Sequence, residues 1–299
     1  MSHYRFASTK RLDIAYLEWN PQGRQTAILL HGWPDSPECW TRVAPILVDA
    51  GYRVLAPALR GFAPTRFRES GTRRSGQLAA LGRDLLEFIE ALQLDRPSLV
   101  GHDWGARAAA NACGLESDVA SHLVMLSVGY GTNDPNQPLP LSQARNYWYH
   151  WFMATPRGER AVRDDREAFA RMMWDTWSPA NWYQPADFEE AARAFQGEDW
   201  AEIVLHSYRH RWGFVEGDPA YTNDETRLQP APLLSVPTLV LHGSVDTCNH
   251  PDSSKGRQVF FTGRYERHEL DGIGHFPQRE APREVAEAII RFCQPHQSA

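Results

Sequence analysis

A short segment at residues 97–106 combines an acidic side chain with the spacing of a sharp turn. The apolar run Ser98 to Val100 stops at Gly101-His102-Asp103-Trp104-Gly105, and an alanine-rich stretch follows at once. This pattern predicts a strand, a tight turn that lifts Asp103 clear of the sheet, and a helix, and such tightness demands the two glycines. A carboxylate is a weak nucleophile, useful mainly against an sp3 carbon with a strained or good leaving group. The segment therefore favours chemistry on epoxides or alkyl halides over ordinary esters.

A covalent ester on Asp103 needs a base that activates water, and His275 is the strongest candidate among the twelve histidines. It lies in a glycine-rich loop, residues 270–277, between a predicted strand and the final helix. Asp246 follows another predicted strand by a few residues, which suits an acid that binds the imidazole Nδ1–H and stabilises the imidazolium. The chain order of nucleophile, acid and histidine fits this assignment. The alternatives for the acid are Asp252 and Asp271.

The run of residues 29–35, Leu-Leu-His-Gly-Trp-Pro-Asp, predicts a loop that follows an early strand and contributes to an oxyanion hole. We expect the backbone N–H groups of Trp33 and Trp104 to hold the oxyanion that forms when water attacks the ester. Pro34 would hold the turn of this loop, and a cis bond before it suits that role. His31, at the end of the strand behind the turn, is expected to be a structural hydrogen-bonding residue and not a catalyst.

The elements that must position these residues alternate between short apolar runs and helical patterns, which is typical of buried parallel strands joined by helices. From about residue 133 this alternation gives way to helical patterns that hold seven of the eleven tryptophans. We therefore predict an α/β core in two pieces, 1–132 and 226–299, with a helical insertion at 133–225. The predicted strands are 26–30, 52–56, 98–100, 123–127, 236–243 and 265–270, and the predicted helices of the core include 75–94 and 283–293.

The composition argues against several classes of partner. The formal net charge of −6 at pH 7, without a basic stripe, argues against nucleic acid and leaves a small neutral or weakly polar substrate. The four cysteines are scattered, so neither a zinc site nor a disulfide framework is predicted. No stretch approaches the roughly 20 apolar residues of a membrane span, and the amino terminus shows no apolar signal segment. We expect a cytoplasmic protein that does not bind membranes. The sequence does not indicate its oligomeric state.

Together these residues resemble the epoxide hydrolase and haloalkane dehalogenase branch of the α/β-hydrolase superfamily over nearly the whole chain. The run 31–34 is similar to its HGxP motif, and 101–105 is similar to its nucleophile segment. The run 59–62 is similar to its RGxG segment, although Ala58 and Ala63 replace an acid and a glycine often found there. The resemblance implies the α/β-hydrolase fold, a mostly parallel eight-stranded sheet flanked by helices, with the insertion as a helical cap. It also implies that no metal or organic cofactor is needed.

The resemblance to epoxide hydrolases implies two cap tyrosines that hydrogen-bond the epoxide oxygen. Tyr149, seven residues before Pro156, occupies the position of the first, and Tyr208, which precedes an arginine, resembles the second. A phenol with a pKa of about 10 is a donor at neutral pH and a tolerable base once ionised. On this hypothesis Asp103 opens an epoxide to form an alkyl ester, and water activated by His275 releases a vicinal diol.

The alternative is a haloalkane or haloacid dehalogenase that uses the same Asp-His-Asp set. Trp104 resembles the halide-binding tryptophan of haloalkane dehalogenases, with Trp33 or the cap as a second donor. Fluoroacetate dehalogenases hold the substrate carboxylate with two arginines, of which this chain keeps only Arg107. They also carry a His-Trp pair where Tyr149 and His150 stand here, so a haloacid is disfavoured. The candidate substrate-binding residues are accordingly Trp33, Trp104, His150 and Arg107.

Two weaker alternatives come from other classes of protein. A binding module on this fold would have lost one of the three predicted catalytic residues, and all three are present. A carboxylesterase or perhydrolase would carry a GxSxG segment, and none occurs.

Overall fold

The computed structural model describes residues 3–134 and 136–294. A few residues of each predicted segment lie outside the described residues. They are residues 1 and 2 of segment 1–132, residue 135 of segment 133–225, and residues 295–299 of segment 226–299. The described chain forms nine strands: β1 (Arg5–Ser8), β2 (Leu12–Trp19), β3 (Gln25–Leu30), β4 (Tyr52–Pro57), β5 (Arg66–Phe67), β6 (Ser98–His102), β7 (His122–Leu126), β8 (Thr238–Gly243) and β9 (Tyr265–Leu270).

All nine strands of the described chain belong to one sheet. Eight lie in the order β1-β2-β4-β3-β6-β7-β8-β9, and β5 pairs with β2 beside that order. From β4 to β9 along this order neighbouring strands are parallel, whereas β2 is antiparallel to β1, β4 and β5. The predicted mostly parallel sheet is confirmed. The family resemblance implied eight strands, one fewer than the nine described. The strand that lies beside the main order is β5, which has only two residues and no apolar run.

The central strands are buried on both faces, as continuous apolar runs in parallel sheets are. Every residue of β6 and β8 is buried. All six predicted strands fall on strands of the sheet, whereas β1 and β2 carry no prediction because polar residues interrupt both runs.

Helices cover both faces of the sheet. The described chain contains twelve α-helices: α1 (Ala44–Asp49), α2 (Leu78–Ala91), α3 (Trp104–Leu115), α4 (Leu141–Asn146), α5 (Trp148–Met153), α6 (Pro156–Asp164), α7 (Arg166–Trp177), α8 (Pro185–Ala192), α9 (Trp200–Arg211), α10 (Thr222–Leu228), α11 (Pro277–Glu280) and α12 (Pro282–Cys293). Helices α2 and α3 contribute to one buried apolar cluster, and α1 and α12 contribute to a second. Alternate residues of β3 enter the two clusters, which places one on each face of the sheet.

Helices α4 to α10 form one continuous helical segment, residues 141–228, between β7 and β8. Within its described residues this segment contains no strand, and its buried aromatic side chains other than Tyr221 join the cluster that also holds α2 and α3. No helix of the described chain has both the length and the apolar character that crossing a membrane requires. The cytoplasmic location stays a prediction.

The parallel strands bring the candidate residues to one edge of the sheet. Trp33 follows β3, Asp103 follows β6, Asp246 follows β8 and His275 follows β9. Because parallel strands share a direction, their carboxyl ends meet at the same edge, where α/β folds bind their ligands.

Candidate active site

Asp103 stands in the turn between β6 and α3. Its backbone lies in the left-handed region, with a φ of +48°, a conformation that is strained for a residue with a side chain. A Cβ atom at Gly101 would clash with the carbonyl oxygen of Gly105, and one at Gly105 would clash with that of Leu30. The close approach of the backbone therefore requires both glycines, and the predicted strand, turn and helix are present.

The Asp103 carboxylate is nearly buried next to backbone amides. The N–H of Trp33 donates to Asp103 Oδ1 at 3.1 Å, and Asp103 is 6% exposed. Trp104 is the first residue of α3, so its N–H is one of those that a helix leaves without an internal partner. Both residues predicted to form the oxyanion hole thus adjoin Asp103.

A buried ion pair holds the loop that follows β3 and carries Trp33. The peptide bond before Pro34 is cis. The Asp35 carboxylate accepts hydrogen bonds from Nε and Nη2 of Arg279 at 2.9 and 2.7 Å. His31 Nε2 accepts a backbone N–H of the loop after β4 at 3.0 Å, and burial lowers the pKa of His31 to about 4. These contacts agree with a structural role for His31.

His275 and Asp246 are in direct contact. His275 Nδ1 lies 2.8 Å from Asp246 Oδ2, and both side chains are buried. Strands β8 and β9 are parallel neighbours, so the loops that follow them start side by side. Asp246 Oδ1 also accepts the backbone N–H groups of Cys248 and Asn249 at 2.8 and 2.9 Å. The carboxylate is therefore fixed on one side by the backbone and on the other by the imidazole.

The two groups shift each other's pKa in opposite directions. Burial raises the pKa of Asp246, but His275 and hydrogen bonds outweigh burial and hold that pKa at about 2. Burial lowers the pKa of His275, but the Asp246 charge outweighs burial and places that pKa well above its ordinary value. Nε2 of His275 is buried and has no hydrogen-bond partner among residues 3–134 and 136–294. This nitrogen can take a proton while Asp246 holds the other side of the ring.

The two alternative acids lie elsewhere. Asp252 pairs with Lys255 at 2.5 Å, and Asp271 accepts the Ser244 hydroxyl at 3.5 Å. Both aspartates are exposed. Across the part of the chain that the structure describes, no three or more His, Cys, Asp or Glu side chains are grouped to hold a metal ion.

Three neighbours of the His275–Asp246 pair escape sequence reasoning. His102 Nε2 donates to the His275 carbonyl oxygen at 2.7 Å. The Trp177 ring lies edge-on to the imidazole, with 5.0 Å between ring centroids, and its carbonyl oxygen accepts the His275 N–H. His242 Nε2 lies 3.4 Å from Asp246 Oδ2. Of these three residues, only His102 could have been singled out from the sequence, because it stands beside Asp103 in the turn.

Tyr149 of α5 and Tyr208 of α9 meet beside Asp103. Their ring centroids are 5.3 Å apart, and both residues are buried. The Tyr149 ring stacks on Trp33, with centroids 5.6 Å apart. The Tyr208 hydroxyl accepts the indole N–H of Trp104 at 3.2 Å. Burial raises the pKa of both phenols well above the ordinary value, and the nearby Asp103 charge raises both further, so both are neutral donors.

His150 and Arg107 also adjoin this cluster. The His150 ring lies 4.4 Å from that of Tyr208, and its Nδ1 accepts the Trp212 indole N–H at 3.0 Å. Arg107 lies one turn after Asp103 in α3 and is buried. The structure thus brings the candidate substrate-binding residues close to the candidate catalytic ones.

A cleft of about 520 Å³ lies beside Arg107. Its walls come from α2, α3, the loop after β7 and α10, and they include Asp134 and Glu225. Neither Asp103 nor His275 lines it. The candidate nucleophile and base are instead enclosed by the aromatic side chains of the helical segment.

The sequence also matches a known family over most of its length. The family model described as alpha/beta hydrolase fold matches residues 27–282. The chain belongs to the alpha/beta hydrolase fold family. It is 27% identical to Epoxide hydrolase A of Mycobacterium tuberculosis, over 96% of each chain. It is 28% identical to the epoxide hydrolase of Caballeronia sordidicola, over 95% of this chain and 93% of that one.

Solved structures of alpha/beta hydrolases agree with this assignment. A Klebsiella pneumoniae protein, provisionally named an epoxide hydrolase, is 34% identical, with 97% of each chain covered and a TM-score of 0.91. Potato epoxide hydrolase I is 20% identical with a TM-score of 0.76, a likeness that shows the fold alone. The predicted family branch, fold class and enzymatic nature of the chain are confirmed.

Proposed function

We propose that this alpha/beta hydrolase opens epoxides to vicinal diols through a covalent ester on Asp103. The contacts around that carboxylate carry the proposal, because a backbone donor binds it and two buried phenols contact the tryptophans that adjoin it. Opening an epoxide leaves an alkoxide that needs a proton, and a phenol supplies one. The full-length relatives named epoxide hydrolases support the same reaction.

In the first half-reaction an Asp103 oxygen forms a bond to an epoxide carbon while the ring C–O bond breaks. The ring oxygen takes a proton from Tyr208 or Tyr149 and becomes a hydroxyl, which leaves a tyrosinate. Tyr208 suits this step because its oxygen accepts the Trp104 indole N–H, a bond that stabilises the phenolate and leaves the phenol proton to be given away.

In the second half-reaction His275 Nε2 takes a proton from water, and the water oxygen attacks the ester carbonyl carbon of Asp103. The N–H groups of Trp33 and Trp104 hold the oxyanion. When the ester bond breaks, the imidazolium returns its proton to the departing alkoxide. The proton left on the Asp103 carboxyl passes to the tyrosinate, so one epoxide and one water give one diol.

The dehalogenase alternative needs free donors for the departing halide. The Trp104 indole N–H is committed to the Tyr208 hydroxyl. Trp33 Nε1 is buried and has no partner among the described residues, so one of the two expected donors is available. This pairing of Trp104 with a phenol favours the epoxide over the alkyl halide.

We further propose that the helical insertion, predicted at 133–225, acts as a cap. It supplies Tyr149, Tyr208 and Trp177, and all three are buried against the strand ends. Because Asp103 and His275 are nearly buried too, substrate must displace part of this aromatic cluster to reach them. The closed cap excludes water, which strengthens the hydrogen bonds to the ring oxygen.

The reaction is tested by parallel assays on one preparation of enzyme. Styrene oxide is expected to yield the diol, and 1-bromobutane is expected to yield little bromide. Asp103→Asn removes the nucleophile and should abolish diol formation while its melting temperature stays near that of the wild type. Bromide release without diol formation would assign the chain to the dehalogenases, and inactivity on all epoxides would contradict the proposal.

A further inference from the structure

Two buried ring nitrogens next to Tyr149 and Tyr208 have no hydrogen-bond partner within residues 3–134 and 136–294. They are Nε2 of His150 and Nε1 of Trp33. Both residues are fully buried, with no exposed surface. A polar group that is buried without a partner costs free energy. The two nitrogens therefore indicate that a ligand supplies hydrogen-bonding atoms at this place.

The proton of the His150 ring is fixed on Nε2. The indole N–H of Trp212 lies 3.0 Å from His150 Nδ1, and an indole nitrogen can only donate. Nδ1 must therefore be the nitrogen without a proton. Burial lowers the pKa of His150 well below its ordinary value, so the ring is neutral and keeps one proton. A neutral imidazole that accepts at Nδ1 is a donor at Nε2.

Both donors pack against the two phenols of the proposed reaction. The centroid of the His150 ring lies 4.3 Å from that of Tyr149 and 4.4 Å from that of Tyr208. The centroid of the Trp33 ring lies 5.6 Å from that of Tyr149 and 5.2 Å from that of Tyr208. When the phenols hold the epoxide oxygen, an acceptor atom within a few bonds of the epoxide ring lies beside these donors.

Hydroxyl groups around His150 are engaged elsewhere. Tyr147 stacks on the imidazole, with 4.4 Å between ring centroids, but its hydroxyl donates to Asn249 Oδ1 at 2.6 Å. The Tyr208 hydroxyl accepts the indole N–H of Trp104 at 3.2 Å. In the part of the chain that the structure describes, no atom accepts from either unpaired donor. The acceptor must therefore come with the substrate.

We infer that His150 and Trp33 bind a neutral oxygen on the carbon next to the epoxide ring, so that the preferred substrates are glycidyl ethers and epoxy alcohols. The inference rests on the proposed function and narrows the small neutral or weakly polar substrate that the composition favours. An imidazole N–H and an indole N–H are uncharged donors, which suit an ether or hydroxyl oxygen. A hydrocarbon epoxide of the same shape leaves both donors unpaired in a closed site, and such a site discriminates against it.

The test compares two epoxides that differ in one position. Phenyl glycidyl ether carries an oxygen where phenethyloxirane carries a methylene group, and diol formation from each gives an ether-to-carbon ratio of kcat/KM. The intrinsic reactivities of the two epoxides are the same with every variant, so changes in this ratio report the enzyme's hydrogen bonds.

His150→Phe and Trp33→Phe should each lower the ratio by about three- to tenfold, the loss of one neutral hydrogen bond. His150→Gln keeps a side-chain N–H and should retain more of the ratio than His150→Phe does. Trp148→Phe is the matched control, because it removes an indole N–H of α5 from a residue that is 38% exposed, and it should leave the ratio unchanged.

Each outcome decides one question. A ratio that stays at the wild-type value in His150→Phe or in Trp33→Phe overturns the inference, while diol formation still supports the epoxide reaction. A lower ratio in His150→Gln than in His150→Phe also overturns it, because phenylalanine is the better replacement for a ring that only packs. Failure to open either epoxide contradicts the proposed function itself. If the His150 variants do not fold, Trp33→Phe still decides, since it keeps the backbone N–H of the loop.

Discussion

Replacing His275 with glutamine should trap the covalent ester. In the proposed scheme His275 acts only after the ring has opened, since Asp103 attacks the epoxide and a tyrosine protonates the oxygen. The Nε2 that would accept the water proton is buried and unpartnered among the described residues, and glutamine offers no base there. Losing a positioned general base slows its step by about 10²–10⁴, or roughly 3–5 kcal/mol of barrier. Ester formation should keep its rate, so the adduct accumulates.

The assay is intact-mass spectrometry after mixing His275→Gln enzyme with an excess of epoxide. We expect the protein mass to rise by one substrate, with the label on the peptide that contains Asp103. Asp246 keeps its two backbone donors in this variant, so the fold should survive. His242→Gln is the matched control, because it also removes an imidazole near Asp246 and should retain turnover without adduct. Normal steady-state turnover in His275→Gln, or the loss of turnover with no adduct, would refute the reasoning.

Three further predictions address other parts of the structure. Tyr208→Phe should slow ring opening by a factor of about 10²–10⁴ in stopped-flow measurements and should accumulate no adduct. The control is Tyr147→Phe, which removes a hydroxyl bound to Asn249 and should slow ring opening by less than about tenfold. Equal losses in the two variants would contradict the assignment. The rate of ester breakdown should rise with pH, with a midpoint above the pKa of ordinary histidine, because the Asp246 charge favours protonated His275 and only the neutral ring is the base. Asp246→Asn should move this midpoint to lower pH. Asp35→Ala strands a buried arginine and should lower the unfolding free energy by about 3–5 kcal/mol in urea titrations, and a loss below about 1 kcal/mol would show that this pair is not what fixes the loop.

The strands of the core are predictable because their burial leaves a direct mark on composition. Parallel strands covered on both faces need unbroken apolar residues, and the predicted runs 98–100 and 236–243 lie on β6 and β8. The ends are less predictable: β6 extends through Gly101 and His102, whose types do not favour strands but whose backbone pairs with β7. The edge strand β1 and its neighbour β2 were not predicted, because polar residues interrupt their apolar runs and their pairing within the sheet compensates for this.

The candidate catalytic residues follow from the same logic, since loops after neighbouring parallel strands must adjoin. That rule brings Asp246 to His275 from sequence positions alone, and the 2.8 Å contact agrees with it. No comparable rule orients the short helices of the helical segment. The family resemblance predicts Tyr149 and Tyr208. It does not predict Trp177, because the contact of Trp177 with His275 depends on how α7 packs against the strand ends.

The arginines at the end of α9 show most clearly what sequence cannot distinguish. Arg209 and Arg211 both lie in the last turn, where the helix dipole favours a cation, so their positions in the sequence do not distinguish them. Packing separates them. Arg209 reaches Glu159 and the Met153 carbonyl oxygen and is neutralised by its own chain. Arg211, two residues on, places its guanidinium carbon 4.9 Å from the centroid of the Tyr208 ring, and its Nε and Nη2 have no partner among the described residues. Tertiary contacts therefore decide whether a cation at the end of α9 is neutralised, and the composition of the helix does not.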